Sequence, residues 1–215
     1  GFNYSKIINY GVANSDGEYI IQLNNDTELI TSNWIEEMLG FAQREDVGAV
    51  GAELFYPDKS IQHAGIIIGI GGVAGHVFRN IPHGMHGYFS KDAMIQNMSA
   101  VTAACMMAPR KMYEVVGNMD EKFEVAFNDV DFCLKIREQG KLIVYNPYVQ
   151  FIHYESKSRG FEDTIEKQKR FQGEIERFKK RWKKILKDGD PYYNINLRLD
   201  NDQCAIKPEK VKYND

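Results

Sequence analysis

Short apolar runs separated by polar and glycine-rich stretches predict strands and helices in succession along this chain. In Ser5 to Ala13 the apolar positions Ile7, Ile8 and Val12 suit a short helix. Tyr19-Ile20-Ile21-Gln22-Leu23 is a short apolar run bounded by turn residues, the pattern of a buried strand, and it ends in Asn24-Asn25-Asp26-Thr27-Glu28. Trp34 to Gln43 predicts a helix capped by Ser32 or Asn33, with Trp34, Met38, Leu39 and Phe41-Ala42 available for its buried face. Val47 to Phe55 predicts a second strand, closed by Tyr56-Pro57-Asp58. Ile66-Ile67-Ile68 is strand-like among Gly65, Gly69, Gly71, Gly72 and Gly75, and Ile81 to Asp92 reads as a loop. Ser99 to Pro109 is a small-residue apolar run expected as a buried strand, followed by a short helix, Arg110 to Val116, that Gly117 ends. Asn128 to Gln139 predicts an amphipathic helix with Val130, Phe132-Cys133 and Ile136 inward and Gly140 at its end. Leu142 to Tyr145 and Val149 to His153 predict two strands split by Asn146-Pro147. Phe161 to Leu186 predicts a long charged helix, and the tail after Asp190 is polar and irregular. Strands alternating with helices imply an α/β sheet, in which ligands gather at the carboxyl ends of strands.

Composition narrows the class. The chain has 215 residues, of which 43% are apolar and 27% charged, the make-up of a globular protein with a real core. A net charge of −3 argues against a nucleic-acid partner for the chain as a whole. The cysteines Cys105, Cys133 and Cys204 are widely spaced, which indicates neither a disulfide framework nor a cysteine zinc site and fits a reducing compartment. The weakly polar stretch Ala64 to Gly75 carries five glycines and is shorter than the ~20 apolar residues a membrane span needs. No signal peptide is apparent, and a first residue Gly rather than Met suggests a fragment.

Three polar clusters could carry chemistry. Asn24-Asn25-Asp26 follows a predicted strand, where a carboxylate could hold a hard divalent cation and the amides could bind ribose or phosphate; Asn and Asp also dominate ordinary turns. In Phe127-Asn128-Asp129-Val130-Asp131 one carboxylate could cap the helix while the other serves as general base; plain capping explains the cluster equally well. His153 ends a predicted strand and could be a metal ligand, with Ser158, Arg159 and Gly160 suited to phosphate beyond it; a loop into the last helix is the alternative.

Taken together, these residues resemble a family 2 glycosyltransferase of GT-A fold, of the bacterial surface-polysaccharide kind. The resemblance runs from about Phe2 to Gly160. It rests on Asn3-Tyr4-Ser5-Lys6, Asn9-Tyr10-Gly11, Gly17-Glu18-Tyr19, Leu23-Asn24-Asn25-Asp26-Thr27, Gln62-His63-Ala64-Gly65, Gly69-Ile70-Gly71-Gly72 to His76, Asn128-Asp129-Val130-Asp131-Phe132-Cys133 and His153-Tyr154-Glu155-Ser156-Lys157-Ser158-Arg159-Gly160. It implies a GT-A-like mixed sheet flanked by helices, with residues 1–160 as a catalytic core and 161–215 as a charged helix and irregular tail. Asn24-Asn25-Asp26 stands at the family's DXD motif, with Asn24 in place of the first Asp. Asp26 and His153 would ligate Mg2+ or Mn2+ at the donor diphosphate, with Asn24, Asn25, Ser158 and Arg159 as donor-binding residues. Asp129 matches the catalytic base, and Asp131 is its rival or helper. The implied reaction is inverting transfer from a nucleotide-diphosphate sugar to a glycan or lipid-linked acceptor, in the cytoplasm or at the inner face of the membrane. The family's first, nucleotide-binding strands precede the DXD region, so the chain is expected to be N-terminally truncated, prone to self-association and less active alone.

Other features invite weaker readings. Gly69, Gly71 and Gly72 suit either close approach to a sugar or a bent strand pair. His76, His83 and His86 lack the ligand spacing of a zinc site. Gly160 to Lys187 carries ten Lys or Arg against five Asp or Glu, a solvated face or a contact for anionic lipid. Phe178-Lys179-Lys180-Arg181-Trp182 resembles the QXXRW motif of processive synthases, but Phe178 replaces its Gln, so processivity does not follow. Two other function classes remain: a non-catalytic glycan- or protein-binding module on the same fold, and a metal-dependent nucleotidyl- or phosphotransferase.

Overall fold

The computed structural model describes residues 1–155 and 164–208. Helix α1 (Tyr4–Ala13) is capped by Asn3, whose side chain accepts from the Lys6 N–H. Strand β1 (Tyr19–Leu23) leads through Asn24-Asn25-Asp26 into β2 (Thr27–Leu29), α2 (Trp34–Ala42) and β3 (Val47–Phe55). Three short strands follow: β4 (Ile61–His63), β5 (Ile66–Ile68) and β6 (Ala74–His76). Then come β7 (Gln96–Met98), β8 (Cys105–Pro109), α3 (Arg110–Val116) and α4 (Asn128–Glu138). The chain continues through β9 (Leu142–His153), α5 (Ile165–Arg181) and α6 (Lys183–Asp188).

Among the described residues, seven strands form one mixed sheet in the order β1-β8-β3-β9-β2, with β4 added to β3 and β7 to β9. The β3–β9 pair is parallel and the others are antiparallel. This is the mixed α/β sheet expected from the sequence. β5 and β6 form a separate hairpin through Gly69, Gly71 and Gly72, all at positive φ, so the glycine-rich segment is a bent strand pair. No helix among the described residues is long and apolar enough to cross a membrane.

The order has a geometric consequence. β1 and β2 lie at opposite ends of the strand path, yet only Asn24, Asn25 and Asp26 join them. Four inter-strand spacings of about 4.8 Å would separate them in a flat sheet by roughly 19 Å. Four residue steps reach at most about 14 Å. The sheet must therefore twist and part between β8 and β9 at this end, and β8 pairs with β3 only at Val50 and Gly51.

Two glycines of β3 set how closely its neighbours approach. A Cβ on Gly48 would meet Ile136 of α4 at 2.2 Å, and one on Gly51 would meet Val101 at 2.4 Å. The apolar faces fall into two clusters. Met38, Ala42, Leu54 and Phe151 pack between α2 and the sheet, while Val101, Tyr113, Phe132, Tyr145 and Phe178 form the larger core on the other side.

The structure departs from the sequence reading at informative places. Only Cys105–Pro109 of the expected strand over Ser99 to Pro109 joins the ladder, because the preceding backbone bonds to side chains and to β5. The two strands expected around Asn146-Pro147 are one strand, since its pairing with β3 shifts register between Ala52 and Glu53 and accommodates the proline without an N–H. The long charged helix breaks at Trp182 into α5 and α6, and Phe161 lies outside the described residues. β2, β4, β6 and β7 were not expected; each has three residues, too few to show a period.

Gly51→Ala is expected to lower stability by about 1–3 kcal/mol through overpacking against Val101, read as a lower urea midpoint at unchanged m-value; an unchanged midpoint contradicts the packing. Glu53 is buried on β3, accepts a 2.8 Å bond from Gln150, and is pushed up to about 7, chiefly by burial. Its folded state favours the protonated form, so the stability it contributes below an unfolded value of about 4.3 is lost as pH rises through 7. Glu53→Gln is thus expected to be more stable relative to the parent at pH 8 than at pH 5, measured as the difference in Tm; equal differences at both pH values contradict this.

Candidate functional site

The end of β9 meets the β1–β2 connection around His153. Gln62 donates from Nε2 to the His153 carbonyl at 3.2 Å, which turns its Oε1 toward the ring, 2.7 Å from Nδ1. Gln62 Oε1 can only accept, so Nδ1 carries the proton and Nε2 presents its lone pair. That lone pair lies 3.2 Å from Asp26 Oδ1 and 3.2 Å from Asn24 Nδ2. Two acceptors, a carboxylate oxygen and an imidazole nitrogen, thus face each other at 3.2 Å with little exposure, 10% for the His153 side chain and 14% for Asp26. The Asn24 amide group donates to that lone pair. The backbone fixes both partners, since the Tyr154 N–H donates to the Asp26 carbonyl at 2.8 Å. The Thr27 hydroxyl holds the turn by donating to the Asn24 carbonyl at 2.8 Å. Asn25 is exposed within the turn.

Asp129 reaches the same region from the other side. Asp129 and Asn24 both bond to the segment Thr102-Ala103-Ala104, which turns into β8. The Ala103 N–H donates to Asp129 Oδ2 at 3.3 Å, and the Ala104 carbonyl accepts from the Asn24 N–H at 3.0 Å. Tyr4, from α1, bridges them: its hydroxyl donates to the Ala103 carbonyl at 3.1 Å and lies 3.5 Å from Asn24 Oδ1. Burial raises the Asp129 carboxyl above the ordinary aspartate value, opposed by bonds from the Val130 and Ala103 N–H groups and the Thr102 hydroxyl. Burial, then the Asp129 charge, raises the Tyr4 phenol in turn.

Asp131 is held elsewhere. It is fully buried, and its Oδ1 accepts from Arg181 at 2.8 Å and from the Trp182 indole N–H at 2.9 Å, with Lys135 3.9 Å from Oδ2. The structure joins it to the junction of α5 and α6 and does not bring it to the Asp26–His153 pair. Arg181 and Trp182, the last two residues of the motif-like Phe178 to Trp182 segment, are thus anchors for α4. Phe178 stacks near Phe127, and Glu174 accepts from the Val125 and Ala126 N–H groups at 2.8 and 3.3 Å. Helix α5 therefore holds the loop that presents Asp129.

Ser158 and Arg159 lie outside the described residues. His76, His83 and His86 do not converge: His76 contacts His63, His83 packs on Phe55, and His86 pairs with Asp92. Among the described residues no group of three or more His, Cys, Asp or Glu side chains is placed to hold a metal. His63 accepts from the Thr102 N–H at Nε2, 3.3 Å, so its Nδ1–H donates to His76 Nδ1 at 3.0 Å. Burial, reinforced by neighbouring positive charge, keeps this pair neutral, with His76 lowered to about 4. Sequence reasoning gave no role to Gln62, Tyr4 or His63, although each stands in a motif quoted for the family resemblance.

No known family profile matches the chain. Over 206 residues, 95% of the chain, it is 48% identical to the uncharacterized protein y4gI of Sinorhizobium fredii (strain NBRC 101917 / NGR234). Over 207 residues it is 35% identical to the O-antigen biosynthesis protein RfbC of Myxococcus xanthus. The chain spans only 23% and 16% of these relatives' lengths. Among solved structures, that of GalNAc-T7 with UDP, GalNAc and Mn2+ superposes on 71% of the chain, and the chain on 30% of it, with a TM-score of 0.51 and 12% identity. The likeness is one of fold: the mixed sheet and its helices have the GT-A glycosyltransferase architecture.

Asp131→Ala is expected to destabilise the protein by about 1–3 kcal/mol, because it leaves the buried Trp182 N–H without its acceptor while Arg181 keeps Asp120. Trp182 emission and urea unfolding measure it; a loss below about 1 kcal/mol contradicts the anchoring role.

Proposed function

We infer that this chain carries the donor and proton-transfer site of a glycosyltransferase acting in the synthesis of a surface polysaccharide. The observation that carries this reading is the Asp26–His153 acceptor pair, tied through Asn24, Tyr4 and Ala103 to the half-buried Asp129. The O-antigen protein among its relatives and the GT-A fold support the substrate class, a nucleotide-diphosphate sugar and a glycan or lipid-linked acceptor.

The residues present fit a divalent cation. In an octahedral shell with ligand distances of about 2.1 Å, adjacent donors lie roughly 3 Å apart, close to the 3.2 Å between Asp26 Oδ1 and His153 Nε2. Asp26 and His153 would hold Mg2+ or Mn2+, which when bound offsets the charge that develops on the leaving diphosphate. Two protein ligands suit such ions, which keep positions for phosphate and water. Gln62 sets the ring tautomer that makes Nε2 a ligand. Asn24 and Asn25 are donor-side groups by position, and Ser158 and Arg159 by sequence.

Asp129 takes the proton of the acceptor hydroxyl as that oxygen attacks the anomeric carbon from the face opposite the leaving group, giving inversion. Its raised pKa brings it closer to the working pH, as a general base requires. The Ala103 N–H orients the carboxylate through Oδ2 and the Val130 N–H through Oδ1. Asp131 acts as a positioning residue for α4. Lys179, Lys180, Lys183 and Lys184 are exposed around the α5–α6 junction and offer an anionic membrane surface a contact near the site.

A panel of nucleotide-diphosphate sugars, each with Mn2+ or Mg2+, screened by thermal shift and then by release of nucleoside diphosphate, tests the reading. Asp129→Asn is expected to abolish turnover while leaving the donor-induced shift intact; a glycan-binding module would be indifferent to that change. The acid limb of kcat/KM is expected above the ordinary aspartate value of about 3.9, because the base must be ionised; a limb at or below that value contradicts the assignment. Gln62→Leu is expected to weaken Mn2+ binding 10- to 100-fold, measured by calorimetry, and unchanged affinity contradicts the role given to Gln62.

A further inference from the structure

A second cavity of about 320 Å3 lies beneath the segment that follows α6. Its size is within the range of small-ligand pockets, about 300–1,000 Å3. Its floor is apolar, formed by Ile67 of β5, Met98 of β7, Phe78 and Leu197. Its mouth is aromatic: Tyr88, Tyr192 and Tyr193 are half-buried, and Phe89 is 78% exposed. Lys91, Gln96 and Asn194 add polar groups to the lining, and Val77 and Cys204 complete it. None of these residues belongs to the Asp26–Asp129 cluster.

Two features show that this wall is built. Asp190 is buried, accepts from the Ile68 N–H at 2.7 Å and from the Tyr192 N–H at 2.9 Å, and so fixes the two adjacent tyrosines over the β5–β6 hairpin. Tyr193 donates from its hydroxyl to the Arg198 carbonyl at 2.8 Å, and the Arg137 guanidinium covers the other ring at 5.1 Å. On the opposite side Phe89 and Ser90 both have left-handed backbone, φ 52 and 53. The result is a phenylalanine held out in solvent at the rim, 4.7 Å from the Tyr88 ring.

The chemistry of the lining selects the ligand. A pure hydrocarbon seated here would strip water from the Lys91 ammonium, Gln96 Oε1 and Asn194 Nδ2 without replacing their hydrogen bonds, the other ends of the two amides being bonded within the chain. A pyranose ring has apolar C–H faces and a rim of hydroxyls. The faces match aromatic rings, whose surfaces are electron-rich and whose Tyr edges are polar, and the hydroxyls match Lys91, Gln96 and Asn194. We propose that the cavity under Tyr88, Phe89, Tyr192 and Tyr193 is a second carbohydrate-binding site, which holds a sugar residue of the glycan away from the point of transfer. The choice of a glycan rests on the glycosyltransferase reading above. The site would retain the acceptor between encounters and raise its local concentration at Asp129.

The test uses the protein with 13C-methyl methionine. Met98 lies on the cavity floor, and Met38, in the other core cluster, is an internal control. The methyl glycosides of glucose, galactose, mannose, rhamnose and N-acetylglucosamine are titrated to tens of millimolar, with farnesol as the hydrocarbon comparison. Saturable movement of the Met98 signal by at least one glycoside, with Met38 unmoved, is the expected result. Tyr192→Ala is expected to weaken that binding at least fivefold. Asn194→Asp, which keeps the acceptor for the Asn196 N–H and removes the amide donor, is expected to weaken it without changing Tm. No response to any glycoside, a response to farnesol alone, or undiminished binding in both variants overturns the proposal. Nucleotide release by the parent is measured in parallel. Release without Met98 movement rejects this site and keeps the transferase reading, and movement without release does the reverse.

Discussion

The short segment Thr102-Ala103-Ala104, which turns into β8, is the constraint on which the site depends. It is buried, yet it lies outside the sheet ladder, so its backbone groups need other partners. The Thr102 N–H goes to His63, the Ala103 N–H to Asp129 and the Ala104 N–H to the Thr102 hydroxyl. The two carbonyls accept from the Tyr4 hydroxyl and the Asn24 backbone. Leaving one buried donor unsatisfied costs about 1–3 kcal/mol. Three residues therefore fix, at once, the direction of a carboxylate, the start of the β1–β2 connection, the N-terminal helix and a buried histidine. Gly51 makes this possible by letting Val101 sit against β3. Asp129 and the Asp26–His153 pair are registered to each other by backbone rather than by a direct contact.

Much of this architecture could be read from residues alone. The apolar runs at Tyr19–Leu23 and Val47–Phe55 coincide with β1 and β3, and the amphipathic stretch from Asn128 with α4, because burial on one or both faces writes a period into the sequence. The three-residue strands β2, β4, β6 and β7 could not be read, since a period needs more positions than they have; β5 could, because all three of its residues are isoleucine. Ser99 to Ala104 looked like sheet for the right reason, its small apolar residues being buried. What its sequence does not encode is that its hydrogen bonds run to side chains 26 and 39 positions away. The same holds in the site: Asp26, His153 and Asp129 carry legible chemistry, whereas Gln62 and Tyr4 act only through partners that the fold supplies. Asp129 and Asp131 look equivalent in the sequence. Only the placement of Arg181 and Trp182, fifty and fifty-one residues on, separates a carboxylate near the site from one that anchors a helix.

The charged helix pair also acquires a role that its composition hides. Its excess of lysine and arginine suggests a solvated face, and the lysines around the α5–α6 break are indeed exposed. The inner face is different. Phe178, Trp182, Glu174 and Arg181 each reach the loop before α4 or α4 itself. One helix thus couples the outer basic surface to the mounting of Asp129, so the two cannot be altered independently.

The join between β1 and β2 has a further consequence. Most loops can lengthen without harm, because closing a longer loop costs little entropy. This one is a tight turn between strands at opposite ends of the sheet path, and it sets the Asp26 carboxylate beside the His153 imidazole. Slack added there would relax the twist and release the pair together, whereas the same slack in the long passage between β6 and β7 would be absorbed at the surface. The shape of the sheet and the closeness of the Asp26–His153 pair are therefore set together by the length of three residues.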